Sequence, residues 1–304
     1  MIKLGILDFD TSHCVEFTKR LNHKVIAPDQ WVDGAHVVVG CPGQSVISPG
    51  VIAGYAKKVE EMGVKLVDKP EEMIGQVDGM LIESLEGGAH YERARPFIEA
   101  GLPCFIDKPF TCSAHDARKL AELAARHGVP LFSSSSLRYA PDVVQYSKEQ
   151  IHGKLHGVLA YGPATLNTVD PSKRNPGLYH YGIHPIEMMY TIMGPGCVLV
   201  TCTHDKDVDV VTGQWKDGRV ATVRGIRAGS SPYGFTVFSE HGVKNVTVNT
   251  SAIYRELLKK VVQFFETRQA PLEIAVTIEV MTFIEGAFKS GNNHGNIESV
   301  QTSA

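Results

Sequence analysis

The chain has 304 residues, of which 43% are hydrophobic and 21% charged, with a formal net charge of −3. That length supports one large core or two domains in an ordinary globular protein. No basic tail or stripe is available to neutralise phosphates, so a nucleic-acid partner is not expected, and no apolar run is long enough to cross a bilayer.

The N-terminus, MIKLGILDFDTSH, meets acidic residues at once and lacks the basic start and cleavage site of a secretory leader. The cytoplasm is the expected compartment. Cys14, Cys41, Cys104, Cys112, Cys197 and Cys202 form no C-x-x-C pair, so neither a structural zinc site nor a disulfide framework is indicated. They read as small buried hydrophobes under reducing conditions.

In chain order, KLGILDF is a near-continuous apolar run, as for a strand covered on both faces. A helix around Cys14–Leu21 follows, then a strand in AHVVVG, a helix in VIAGYAKKVEEMG, and strands in VKLVD and VDGMLIES. AHYERARPFIEAG is helical despite Pro96, which should bend it. PCFID is a strand, and the helix after it has Ser113 and Asp116 as a capping pair and Gly128 as its stop. PLFSSSS closes the series. Strands separated by such helices indicate a doubly wound, Rossmann-like parallel sheet, with ligands beyond the C-terminal strand ends. Asp10, Gly40, Glu83 and Lys108 fall at those ends.

After about Leu137 the texture changes. A helix is expected over Asp142–Glu149, and then strand-like runs dominate: KLHGVLAYG, CVLVTCTH, VDVVTGQW, RVATVRGIR, YGFTVFSE and VKNVTVNT. These predict a large, mostly antiparallel sheet. Two helices close the chain on either side of Pro271, the second with an expected apolar stripe through Ile274, Ile278, Met281, Ile284 and Phe288. The expected division is α/β: a Rossmann-like domain over residues 1–136 and an α+β substrate-binding and oligomerisation domain over 137–304.

The first strand exit lacks the later glycines of a dinucleotide-binding turn and carries Asp8, Asp10, Thr11 and Ser12 instead. Thr11, Ser12 and His13 at the helix start can donate to a phosphate or act as a structural cap. Asp8 and Asp10 would oppose a phosphate and are better suited to holding amides or a neighbouring side chain. No acidic residue follows the second strand, where one would bind the ribose of NAD, and no basic residue there favours NADP. Gln44 and Ser45 are the candidate ribose contacts.

Two constellations carry chemistry. Asp107-Lys108-Pro109 sets an ammonium at a strand mouth; Pro109 restricts Lys108 to extended backbone and Asp107 can orient it. Such a lysine grips a substrate oxygen or moves a proton, or it simply pairs with its neighbour. In NPGLYHYGIHPIEMMYTIMG, Pro185 suits a first helical turn, placing His184 at the helix entrance and His180 just outside it. His180, His184 and Glu187 lack the H-E-x-x-H order, and Pro185 interrupts their register, so no metal site is expected.

Together FIDKPFTCSAHDARKLAELAARHGVPLF, YHYGIHPIEMMYTIMG and FFETRQAPLEIAVTIEVMTFIEGAFKSG resemble the Gfo/Idh/MocA oxidoreductases over nearly the whole chain. That family carries Glu-Lys-Pro where this chain has Asp107-Lys108-Pro109, often with a cis lysine–proline bond. The resemblance implies Lys108 and His184 as catalytic residues, and His180, standing where an aspartate is usual, with Tyr181 and Arg138 as substrate contacts. It implies a nicotinamide cofactor, NAD or NADP, with Asp10, Thr11, Ser12, His13, Gln44, Ser45, Glu83, His90, Asp107, Lys108 and Pro109 around it. The implied activity is hydride exchange with a hydroxyl-bearing carbon of a sugar, cyclic polyol or similar small polar metabolite, in a homodimer or homotetramer. Alternatives on the same scaffold are a non-redox metabolite binder and an NAD-assisted lyase or glycosidase.

Overall fold

The first apolar run forms β1 (Ile2–Leu7), and α1 (His13–Leu21) follows directly. Next come β2 (Ala35–Cys41), α2 (Ile52–Glu61), β3 (Lys65–Leu66), β4 (Gly79–Ile82), α3 (His90–Glu99), β5 (Cys104–Ile106), α4 (Ala114–His127) and β6 (Leu131–Ser133). The computed structural model describes residues 1–167 and 175–300. All pairings in this sheet are parallel, in the order β3-β2-β1-β4-β5-β6. The strand order reverses between β1 and β4, and such reversals open a ligand crevice at the carboxyl ends of the strands. Leu4, Ile6, Leu7, Leu81, Ile82, Phe105 and Ile106 are wholly buried, as a sheet covered on both faces requires.

Local signals explain the helix ends. Ser113 Oγ accepts the Asp116 amide hydrogen at 3.0 Å, and Gly128 ends α4 at φ 63°, the left-handed region that favours glycine. Pro96 lies inside α3.

The second architecture begins with α5 (Pro141–Tyr146) and α6 (Glu149–His152), where one helix over 142–149 was expected; Lys148 is extended between them and breaks the run. There follow β7 (Leu155–Pro163), α7 (Ile183–Met193), β8 (Cys197–Asp205), β9 (Val208–Trp215), β10 (Val220–Ile226), β11 (Gly234–Ser239), β12 (Gly242–Thr247), α8 (Ile253–Thr267), α9 (Ile274–Asn292) and β13 (Glu298–Ser299). Seven strands form a sheet in the order β12-β11-β7-β10-β9-β8-β13, antiparallel except where β10 runs parallel to β7. This is the expected α+β sheet. The buried face of α9 is Thr277, Val280, Met281, Phe283, Ile284 and Ala287; Phe288, placed on the expected stripe, is 47% exposed. The helix is apolar around much of its circumference, so spacing alone does not select the inward face.

The chain divides into two compact units. One comprises Met1–Ser134 with Tyr254–Ile274; the other comprises the described residues of Ser135–Pro171, Asn175–Ile253 and Ala275–Ala304. Most of α8 therefore belongs with the parallel sheet. Phe264 meets Phe132 at 5.8 Å between centroids, and Phe265 fills the space that a Cβ at Gly79 would occupy. Among the described residues, no helix is long and apolar enough to cross a membrane, and the six cysteines are free, five of them buried.

Candidate functional site

The parallel pairing of Ile82 with Ile106 sets Glu83 beside Asp107 at the exits of β4 and β5. His13, at the start of α1, places Nδ1 2.6 Å from Asp107 Oδ2 and 4.0 Å from Glu83 Oε2. Its ring is held by Phe17 and Tyr254 at centroid distances of 5.2 and 5.1 Å. Lys108 follows, 4% exposed, and its peptide bond to Pro109 is cis. Burial, reinforced by the Asp107 charge, pushes the Glu83 carboxyl well above its ordinary range against the pull of Lys108. Burial also raises Asp107, but His13 and Lys108 outweigh it and hold that carboxyl below its ordinary range. Asp107 is thus the standing anion and Glu83 the group that prefers a proton or another positive partner.

At the exit of β1, Asp8 adopts φ 65°, a left-handed turn that glycine usually supplies. Its carboxylate accepts a hydrogen bond from Ser84 Oγ, lies 3.0 Å from Arg93 Nε, and rests where a Cβ at Gly43 would overlap it. Burial raises the Asp8 carboxyl to about 6 despite Arg93. Asp10 Oδ1 accepts the Leu85 amide hydrogen at 2.9 Å, and burial raises Asp10 also. Both carboxylates are drawn toward the loop after β4. Ser12 is the N-cap of α1 and makes no side-chain cap bond, while the Thr11 carbonyl accepts from Cys14 Sγ at 3.0 Å. At the start of α1 the His13 amide donates to Thr11 Oγ1 at 3.5 Å and the Val15 amide to the Ser12 carbonyl at 3.1 Å.

A cavity of about 410 Å³ opens beside the exits of β2 and β4, lined by Gln44, Ser45, Val46, Glu86, Glu92 and Arg93 among others. Gln44 and Ser45, singled out from sequence, sit here. Glu86 was not: its Oε1 accepts from Ser45 Oγ at 3.2 Å, from the Ile47 amide at 3.1 Å and from the Val46 amide. It supplies from the β4 loop the carboxylate missing after β2. Spacing gave no sign of it, because the two loops are far apart in the chain. His90 is fully buried, with its ring nitrogens 2.8 Å from the Ser84 carbonyl and 3.1 Å from the Phe110 carbonyl. It ties the two loops together, a scaffold position that the sequence did not reveal.

In the other unit, His184 lies in the first turn of α7, with Pro185 next to it. Its Nδ1 is 2.7 Å from Ser135 Oγ. Glu187, one turn on, accepts the Ser135 amide hydrogen at 3.0 Å and faces Arg138 Nε at 2.8 Å. His184, Ser135, Arg138 and Glu187 thus form one buried cluster. Arg138 Nη2 is buried and has no hydrogen-bond partner among the described residues. Tyr181, 38% exposed, presents its ring edge-on to both His180 and His184, and His180 Nδ1 is 3.4 Å from Asn175 Nδ2. From sequence Glu187 reads as a polar group beside His184 or as a metal ligand; its i+3 spacing from His184 on a helix is the usable signal for a shared face.

Residues 47–135 match the family model described as "Oxidoreductase family, NAD-binding Rossmann fold". Over that stretch the chain is similar to the Gfo/Idh/MocA oxidoreductases. The inositol 2-dehydrogenase of Cereibacter sphaeroides (strain ATCC 17029 / ATH 2.4.9) is 30% identical over 129 residues, covering 42% of this chain and 38% of that protein. The matched stretch is thus well under half of the relative's length. The myo-inositol dehydrogenase of Corynebacterium glutamicum superposes with a TM-score of 0.80 at 15% identity, over the whole of both chains. The scyllo-inositol dehydrogenase of Lactobacillus casei, solved with bound NAD(H) and scyllo-inositol, gives 0.78 at 14% identity over 99% of each. At such identities the superpositions establish the fold alone.

Proposed function

We propose that this chain is an NAD(P)-dependent dehydrogenase or reductase acting on a hydroxyl-bearing carbon of a sugar, cyclic polyol or related polar metabolite. The observation that carries the reading is Lys108, buried at the exit of β5 and flanked by Asp107, inside the segment that matches the oxidoreductase family. The inositol dehydrogenases among the relatives point to a polyol-like substrate.

The first unit fits a nicotinamide dinucleotide. Ser12 at the start of α1 makes no side-chain cap bond, Asp8 keeps the left-handed turn, and the two aspartates that would repel phosphate are bound to Ser84, Arg93 and Leu85. Thr11, Ser12 and the first amides of α1 would hold its phosphates, and Gln44 and Ser45 its ribose. When bound, the cofactor supplies the carbon that gives or takes hydride.

Lys108 is assigned to the substrate oxygen, where its ammonium offsets developing negative charge. His184 is assigned the hydroxyl proton: with Nδ1–H directed at Ser135 Oγ, Nε2 is the accepting atom. Arg138 Nη2, Tyr181 and His180 are assigned to the polar groups of the substrate. Calorimetry with NAD, NADH, NADP and NADPH, followed by a screen of cyclic polyols and sugars for absorbance of the reduced cofactor, tests the reading. Failure to bind any of the four overturns it.

A second reading, a metabolite binder without turnover, draws on Asp8 and Asp10 standing where glycines are usual. Binding of a polyol with no redox change in the same screen would favour it.

A further inference from the structure

The Glu83 side chain is wholly buried, yet neither of its oxygens has a hydrogen-bond partner among the described residues. Lys108, at the exit of the adjacent strand β5, acts on Glu83 through its charge. Asp107 Oδ1 is also buried and has no hydrogen-bond partner among the described residues. A carboxylate removed from water without donors costs several kcal/mol, so such a group requires a positive partner or a proton. The neighbouring donors define where that partner would sit. One ligand atom each from His13, Glu83 and Asp107 lies within 4.8 Å of the others, the closest pairs being 2.6 and 4.0 Å apart.

We propose that His13 Nδ1, Glu83 and Asp107 form a binding site for a divalent transition cation at the shared exit of β4 and β5. Two ligands at roughly 2.0–2.2 Å from one ion can be no more than about 4.4 Å apart, so small side-chain rotations bring this set into range. One imidazole and two carboxylates make a mixed nitrogen–oxygen donor set, which suits Zn2+ or Mn2+ better than Mg2+, a cation that favours oxygen ligands and keeps its waters. The ion would replace the proton between His13 and Asp107 and neutralise Glu83. It would fix the start of α1 to the two strand exits, directly beneath the backbone that carries Lys108. Nothing in this depends on the redox reading.

The test uses the full chain, stripped with chelator and titrated with Zn2+, Mn2+ and Mg2+ by calorimetry, with bound metal counted after gel filtration. One equivalent of Zn2+ or Mn2+ is expected in the wild type, with an upward shift in thermal midpoint. Glu83→Gln, which preserves shape, is expected to weaken binding by about 100-fold or more, at least matching the loss seen when groups that merely support a ligand are removed. His204→Ala, remote in the chain from all three donors, should retain binding and controls for surface histidines. Dinucleotide binding measured in parallel keeps failure of this site distinct from failure of the oxidoreductase reading. Absence of stoichiometric metal in the wild type, or equal affinity in a folded Glu83→Gln variant, overturns the proposal.

Discussion

Arg138 Nε donates to Glu187 Oε2 across 2.8 Å, with both side chains about 7% exposed, while the other Glu187 oxygen accepts the Ser135 amide hydrogen. One carboxylate thus positions both the guanidinium and the backbone of the serine that holds His184. Removing one member of a buried pair leaves the other charge uncompensated, at about 3–5 kcal/mol. Glu187→Ala should lower unfolding free energy in urea by that order. Glu187→Gln, which can still accept from Ser135, should lose less. Equal stability of the alanine variant and the wild type would show that the pair is not structurally important.

Asp8 makes the fold pH-sensitive in an unusual direction for a carboxylate. Burial raises it from 3.8 to about 6, so the folded state holds its proton more tightly than the unfolded chain does. Its contribution is complete below 3.8 and is lost as pH rises through about 6. That difference corresponds to about 3 kcal/mol at most. Asp8→Asn should therefore raise the thermal midpoint at pH 8, by an amount equivalent to roughly 1–3 kcal/mol, with the advantage vanishing near pH 4. A variant that is less stable than the wild type at pH 8 would show that the Arg93 pairing outweighs burial.

The parallel sheet was legible because its strands are short apolar runs between helices with clear stops, as at Gly128. The strand exits follow from topology, so the sequence alone places Lys108 and Glu83 there. What sequence could not give was pairing between distant loops. Glu86 reaches across to Ser45, Val46 and Ile47, and His13 reaches Asp107, over 39 to 94 positions. Likewise the return of α8 to the first unit depends on Phe264 and Phe265 finding the sheet face, whereas the sequence offered only a domain change near residue 137. Local periodicity specifies an element and its faces; it does not specify which distant surface receives them.

Cofactor choice follows from the cavity beside β2. Glu86 and Glu92 both line it, and Arg93 is already engaged by Asp8 at 3.0 Å and by the Gln44 carbonyl at 3.1 Å. An additional ribose phosphate would meet two carboxylates and no uncommitted arginine. NADH should therefore bind more tightly than NADPH by about tenfold or more, roughly 1.4 kcal/mol. Glu92→Gln should narrow the gap. Equal affinities by calorimetry would reject the assignment of this cavity to the adenosine ribose.

Lys108 and the dinucleotide can be separated experimentally. The phosphate and ribose contacts proposed above come from α1 and from the loop after β2, so Lys108→Ala should leave NADH affinity within a few-fold of wild type. Loss of a positioned proton-transfer or charge-stabilising group should lower turnover by about 10²–10⁴-fold. Lys108→Arg distinguishes the two roles, because a guanidinium keeps the charge but does not release a proton near neutral pH. Substantial recovery by arginine would mean that Lys108 acts by charge alone. No recovery would mean that it also moves the proton. Undiminished turnover in Lys108→Ala would remove this residue from the reaction and leave the strand exit without a catalytic role.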